Sequence, residues 1–308
     1  MRKILIIGVS IFCIFADAGK YGSERFEFGY SARVQAMGSA FSAGEKDLTG
    51  VFLNPAVLSS INSLKAEGSY SIYYGNLFSS GSVNLCIPQE NYNIGLSVFF
   101  LQVPDIPHTE VTDPDSVNNF DDIILRGYFS SYTYIFNLSF SKSAGNFTLG
   151  ANMKMVYEDI LDENGKGIGF DIGLIKTLNQ RTRIGLSLQN AFGTYMIWTT
   201  GRKEAFNPFL NIGISLSPVK NLNTNFDVSI KTENIRSSSF FSLSFLSIHP
   251  RIGFEWNLFK SLNLRGGMEE SLPTLGLGFN FKNFEINYAL RYSLDLGDSH
   301  IITLSYSK

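Results

Sequence analysis

Residues 284–292 read Phe284-Glu285-Ile286-Asn287-Tyr288-Ala289-Leu290-Arg291-Tyr292. Phe284, Ile286, Tyr288, Leu290 and Tyr292 fall on one side at a spacing of two, and Glu285, Asn287, Ala289 and Arg291 on the other. That period belongs to a β-strand, whose successive side chains point to opposite faces. Outward from this stretch the pattern repeats. Within 208–218, Leu210, Ile212, Ile214 and Leu216 oppose Asn211, Gly213 and Ser215. Ile252, Phe254, Trp256 and Leu258 face away from Gly253, Glu255 and Asn257, and in 222–230 the polar set is Asn223, Asn225, Asp227 and Ser229. Similar alternation occurs at 94–100, 134–140, 147–155, 168–174, 184–188, 275–281 and 302–306. The chain is all-β.

Alternation alone fits a soluble sandwich as well as a membrane barrel. Composition separates them. Only 17% of the 308 residues are charged, where about 25% is usual in soluble domains, and the chain carries 27 Phe, 14 Tyr, 2 Trp and 28 Gly. The minor faces hold Gly, Ser, Asn and Thr rather than Lys or Glu. The apolar faces carry aromatics near their ends, as at Tyr134, Phe140, Phe284 and Tyr292. Such a sheet suits lipid outside and a polar lumen inside. A formal net charge of −2, from 25 basic and 27 acidic residues, gives no basic stripe and excludes nucleic acid as a partner.

Strands are expected at 66–74, 79–87, 91–101, 132–142, 145–157, 167–177, 181–190, 207–217, 222–231, 249–258, 261–268, 273–281, 284–293 and 299–307. That is an antiparallel transmembrane β-barrel of about 14 strands, an even number as single-chain bacterial barrels have. A further candidate at 240–246 breaks parity and is assigned to a loop. Connections at 88–90, 143–144, 178–180, 218–221, 259–260 and 282–283 are short and share one end. Those at 102–131, 158–166, 191–206 and 232–248 are long and share the other, although 75–78, 269–272 and 294–298 at that end are short. Short periplasmic turns and longer external loops mark an outer-membrane barrel.

The N-terminus reads as a signal peptide over residues 1–18: Arg2 and Lys3, an apolar run at 4–15, then Ala16-Asp17-Ala18. Phe12 before Cys13 is too large for a lipoprotein signal. After cleavage only Cys86 remains, so no internal disulfide can form. The expected organisation is a signal at 1–18, an N-terminal segment at 19–65 and a barrel at 66–308, located in the bacterial outer membrane with its lipid as surroundings.

The stretch 30–58 is rich in small residues and carries Ser31, Ala32, Arg33, Met37, Gly38, Ala40 and Phe41, then Asn54, Pro55, Ala56 and Leu58. It resembles the N-terminal region of the PorV/PorQ proteins and the wider FadL-like outer-membrane family. Gly253-Phe254-Glu255, Leu264-Arg265-Gly266-Gly267, residues 273–279 and 296–300 extend the resemblance over nearly the whole mature chain. Ser39 stands where the family usually has a second glycine, and Glu45-Lys46-Asp47 replaces an acidic segment. The resemblance implies a hatch folded into the barrel mouth, bearing Arg33, Met37, Gly38, Asn54, Pro55 and Ala56. Read from the residues alone, Pro55 fixes its φ and Asn54 caps a short helix toward Leu58, which suits either a hatch or an ordinary turn.

Alternation aims Lys154, Asp171, Asp227, Glu255, Arg265, Glu285 and Arg291 into the lumen, where they form either a structural network or a substrate path. No catalytic or metal constellation is expected, and no cofactor. His108, His249 and His300 lack ligand spacing, and Ser299 and His300 are neighbours on opposite strand faces. Asp113, Asp115, Asp121 and Asp122 lack the Gly and Glu of a Ca²⁺ loop. The resemblance implies one of two functions. The first is a passive FadL-like route for small hydrophobic compounds. The second is a non-transporting interaction component of type IX secretion or surface attachment, with exported protein as partner. A soluble β-sandwich adhesin is the more distant alternative.

Overall fold

The computed structural model describes residue 28 and residues 30–111, 123–232, 241–243 and 246–308. The expected signal peptide and the acidic stretch Asp113–Asp122 lie outside the described residues. The strands are β1 Lys65–Tyr73, β2 Phe78–Pro88, β3 Asn93–Val111, β4 Ile123–Ala144, β5 Phe147–Ile160, β6 Glu163–Asn179, β7 Thr182–Gln189, β8 Thr194–Trp198 and β9 Lys203–Phe206. They continue with β10 Phe209–Val219, β11 Leu222–Lys231, β12 Phe241–Leu243, β13 Leu246–Phe259, β14 Leu262–Glu269, β15 Leu272–Phe281, β16 Phe284–Ser293 and β17 Gly297–Ser307.

Fourteen of these close into an antiparallel barrel, with β10 beside β7, β13 beside β11 and the ring sealed by β1 against β17. At the seam Lys65 stands opposite Ser307 and Ile72 opposite His300. β8 and β9 form a hairpin that continues the wall by pairing with β6 beyond the end of β7, and β12 is a short flap on β13.

The two faces of the wall are chemically distinct. Leu149, Leu275 and Val83 are at least 60% exposed on the outside, while Asn152, Ser71 and Thr303 on the inside are at most 2% exposed. An apolar outer belt of this extent is the surface of a membrane-embedded barrel, and the inverted pattern follows from strand period alone.

Three connections differ from the sequence expectation. The connection at 158–166 is a two-residue turn at Leu161-Asp162, because β5 and β6 continue past the apolar belt with polar residues in register from Tyr157↔Lys166 to Ile160↔Glu163. Likewise β3 and β4 run on as a ribbon to Val111↔Ile123. The loop at 191–206 contains the β8–β9 hairpin. In each case strict apolar–polar alternation ends while backbone pairing persists. Segment 240–246, assigned to loop, contributes only the three residues of β12 among those described.

Placing Leu277→Arg in the middle of the outward row of β15 should destabilise the barrel by about 2–4 kcal/mol in lipid vesicles, whereas Lys282→Arg in the adjoining turn should be near neutral. Urea titration of the folded fraction in vesicles measures both.

Candidate functional site

The N-terminal segment supplies three short helical pieces: α1 Ala32–Ala36, a 3-10 turn Thr49–Phe52 and a 3-10 turn Pro55–Ser60. Each is too short to hold itself and leaves much of its backbone without helical partners. Ser31 caps α1, its side chain accepting from Val34 N at 3.1 Å. Asn54, with extended backbone, accepts from Ala56 N at 3.0 Å, and Pro55 occupies the first helical position. Tyr30, Val34, Met37, Phe41, Leu53, Ala56 and Val57 bury themselves as an apolar cluster.

This segment lies inside the barrel, in the half nearer the short turns. α1 rests on β14–β17 and the Pro55 turn on β3–β6. Contact is close because inward wall positions carry glycine. A Cβ on Gly267 would come within 2.7 Å of Ile252 O and would overlap Gly38 N. One on Gly253 would overlap Met37 O, on Gly185 Ser42 O, on Gly150 Ala56 N and on Gly173 Asn54 Oδ1. Gly38 is itself required: its φ is +59°, and a Cβ there would meet Met268 N at 2.6 Å. Ser39 follows in the same left-handed region at φ 56° and donates to Glu269 at 3.3 Å.

Wall side chains supply the hydrogen bonds that the segment cannot make internally. Thr303 Oγ1 accepts from Ala32 N at 2.8 Å, and Asn225 donates to Ala40 O at 2.7 Å. Asn152 donates to Val51 O at 2.8 Å, Gln189 to Leu53 O at 2.9 Å, and Asn93 to both Leu58 O and Ile61 O. Buried backbone groups demand partners, and Ser, Thr and Asn provide them.

The seven expected lumen charges fall into separate groups. Arg33 clamps Glu255 with two bonds, at 2.8 and 2.9 Å, and Arg265 joins the same carboxylate at 2.6 Å. Arg265 also reaches Asn287 and, at 3.2 Å, Glu285. Burial opposes the charge on Arg33, but attraction to Glu255 and the hydrogen bonds to it, aided by Glu285 and Asp47, raise its pKa above the ordinary range. Asp227 accepts from Ser42 N at 2.6 Å. Arg291 approaches Glu269 at 3.4 Å, and Arg251 approaches it at 3.0 Å. Lys154 lies 2.7 Å from Asp171 and donates to Asn190 at 2.7 Å. Of the residues expected in a hatch, Met37 packs in the apolar cluster and Gly38 lies against β13–β15.

Sequence reading missed Glu67, Glu269 and Arg251, although Arg251 shares the inward parity of Gly253 and Glu255. It also missed Glu45, which pairs with Arg183 at the short-turn end. Ser299 is buried and His300 exposed, on opposite faces of β17. Among the described residues no group of three His, Cys, Asp or Glu side chains could hold a metal ion.

Two spaces flank the segment. Toward the short turns lies a polar cavity of about 470 Å³, bounded by Arg33, Glu45, Lys46, Lys220, Lys260 and Glu285 among others. On the opposite side lies an apolar pocket walled by Phe28, Phe52, Phe99 and Ile135, with Asn137, Lys154, Asp171 and Gln189 at its polar edge. It is about 20 Å³, roughly the room one water needs. Phe99, Ile135, Val156, Met196, Trp198 and Phe206 continue the apolar lining. Beside the polar edge the wall strand breaks between Gln189 and Thr194, where Asn190 has φ 51° and Gly193 φ 81° and Phe192 is exposed outward.

Among solved structures, the P. putida toluene transporter TodX is similar with a TM-score of 0.67 at 13% identity, over 91% of this chain and 99% of TodX. The Ralstonia pickettii toluene transporter TbuX gives 0.62 at 15% identity, over 91% and 98%. A Pseudomonas aeruginosa FadL homologue gives 0.59 at 11% identity, over 91% and 100%. At such identities the likeness is one of fold. No protein-family model and no curated protein sequence matches the chain.

Glu255→Gln should cost about 3–5 kcal/mol by leaving two buried guanidinium groups facing a neutral partner. Gly150→Leu, whose side chain needs the space of Ala56, should unseat the segment and raise both single-channel conductance and proteolysis within 30–61. Unfolding titrations and planar-bilayer recordings check the two variants.

Proposed function

We propose that the chain is a passive FadL-like channel of the bacterial outer membrane, carrying small hydrophobic compounds, with the N-terminal segment acting as a hatch. The observation that carries this reading is the apolar pocket of Phe28, Phe52, Phe99 and Ile135, placed directly against the hatch on a wall whose inward positions are mostly polar. Ligand pockets are mainly apolar with a few convergent polar groups, and this one has Lys154, Asp171, Asn137 and Gln189 at its edge. The compound enters at the loop end, displaces the side chains that now narrow the pocket, and leaves through the interrupted wall at 190–193 or past the hatch. The toluene transporters among the similar folds support this class of cargo.

A second reading follows the PorV/PorQ resemblance: an interaction component of type IX secretion or surface attachment, whose external loops bind exported protein and whose lumen stays shut. The narrowness of the pocket, about 20 Å³, favours it. Under either reading Glu255 and Asp227 bond the hatch to the wall through Arg33 and Ser42, while Lys154, Asp171, Arg265, Glu285 and Arg291 pair with groups of the wall.

Cells expressing the protein should take up a labelled apolar monoaromatic compound faster than cells without it. Phe99→Asp should reduce that gain about tenfold, since a charge in the pocket costs more than the roughly 1.4 kcal/mol that one decade represents. Uptake equal with and without the protein, together with an exported protein co-purifying in stoichiometric amount, would establish the second reading instead.

A further inference from the structure

The outer wall changes character at its short-turn edge. On β4 the lipid-facing row Phe136, Leu138 and Phe140 continues in register to Lys142. On β6 the row Ile168, Phe170, Ile172 and Leu174 ends at Lys176, and on β17 Ile302, Leu304 and Tyr306 lead to Lys308. Lys220, Lys260 and Lys282 stand in three further turns of the same edge, all exposed, with Lys220 and Lys260 also at the rim of the polar cavity. Glu90 is the carboxylate in the turns of this edge, Glu45 of the inner segment pairs with Arg183, and Glu285 points inward to Arg265.

Two of the amines sit over rings of the belt: Lys176 Nζ is 5.1 Å from the Phe147 centroid and Lys282 Nζ 5.4 Å from that of Phe281. No carboxylate among the described residues forms an ion pair with any of the six lysines. At the opposite edge the described residues place Asp159, Asp162, Glu270, Asp295 and Asp298 beside Lys166, Lys203 and the ion-paired Arg126 and Arg202.

We propose that this lysine edge binds anionic phospholipid headgroups, giving the barrel a selected ring of anionic lipid in the leaflet that its short turns meet. Three of the lysines prolong rows whose other members face acyl chains, so the molecule reaching them is the lipid whose tail already covers that row. At Lys176 and Lys282 a phosphate meets an ammonium group seated over an aromatic ring of the belt. Each such lysine adds an attraction to anionic lipid that weakens within a Debye length.

The chain contains its own reporter. Of its two tryptophans, Trp256 is 50% exposed on the outer face four residues before Lys260, and Trp198 is buried. The purified protein is reconstituted in phosphatidylcholine vesicles containing brominated phosphatidylglycerol or brominated phosphatidylcholine, and Trp256 quenching gives their relative association. The expected result is about three- to fivefold preference for phosphatidylglycerol at low salt. It should fall toward unity at about 0.5 M salt and in the Lys220→Gln/Lys260→Gln variant, while Lys220→Arg/Lys260→Arg keeps it. Native mass spectrometry should show bound phosphatidylglycerol that Lys142→Gln/Lys176→Gln/Lys308→Gln loses. Equal quenching by the two lipids in the unaltered protein overturns the proposal, as does a preference that survives removal of the lysines. The unaltered protein alone decides if a variant fails to fold.

Discussion

Backbone meets backbone across the lumen, and most of what distinguishes this barrel follows from that contact. An inner segment with little regular structure can lie against the wall only where the wall has no side chain, which is why glycine recurs at inward positions of β5, β6, β7, β13 and β14. Close approach brings the segment's unpaired N–H and C=O groups within reach of Asn, Ser and Thr on the neighbouring inward positions. The composition of the inner face is therefore set by the segment it encloses rather than by water.

Charge inside the ring obeys the same economy of space. Removing a guanidinium and a carboxylate from water costs several kcal/mol per ion, and only near-ideal pairing recovers it. The Arg33–Glu255–Arg265 cluster meets that demand with two bonds from Arg33 and one from Arg265 on a single carboxylate, and it joins the segment to β13 and β14. On the other side of the lumen, Lys154 and Asp171 do the same beside a break in the wall. Between these polar anchors the apolar pocket stands out because nothing in wall architecture calls for it. Beside it, β2 covers its inner face with Ser80, Ser82 and Asn84.

Strand period made the barrel and its strand number legible, because lipid enforces strict alternation over each crossing. Legibility ended where alternation did. The ribbon of β5 with β6 continues in mainly polar sequence and that of β3 with β4 in sequence without strict alternation, so the backbone bonds that hold both leave no period to read. The cap of Asn54 on the Pro55 turn was readable from two residues, since proline and its predecessor restrict each other. The route of the inner segment was not readable. Gly253 and Gly267 look like any small residue on a polar face until Met37 and Gly38 are seen against them. Glu269 escaped notice because it is the last residue of β14, one step beyond the expected strand end. The apolar pocket escaped because its members, Phe99 and Ile135, sit on a face where alternation expects polar residues.

The seam between β1 and β17 pairs Lys65 with Ser307, joining the two ends of the barrel sequence. That is the most distant strand pairing among the described residues, so its loop-closure entropy is the largest of the strand pairings. The inner segment directly precedes β1 and is bonded to Thr303 on β17 as well as to Asn93 on β3. Bonded to strands on both sides of the seam, it links them from within the closed ring. The contacts that fill the lumen are thus also contacts that tie the ring together at its longest-range strand pairing.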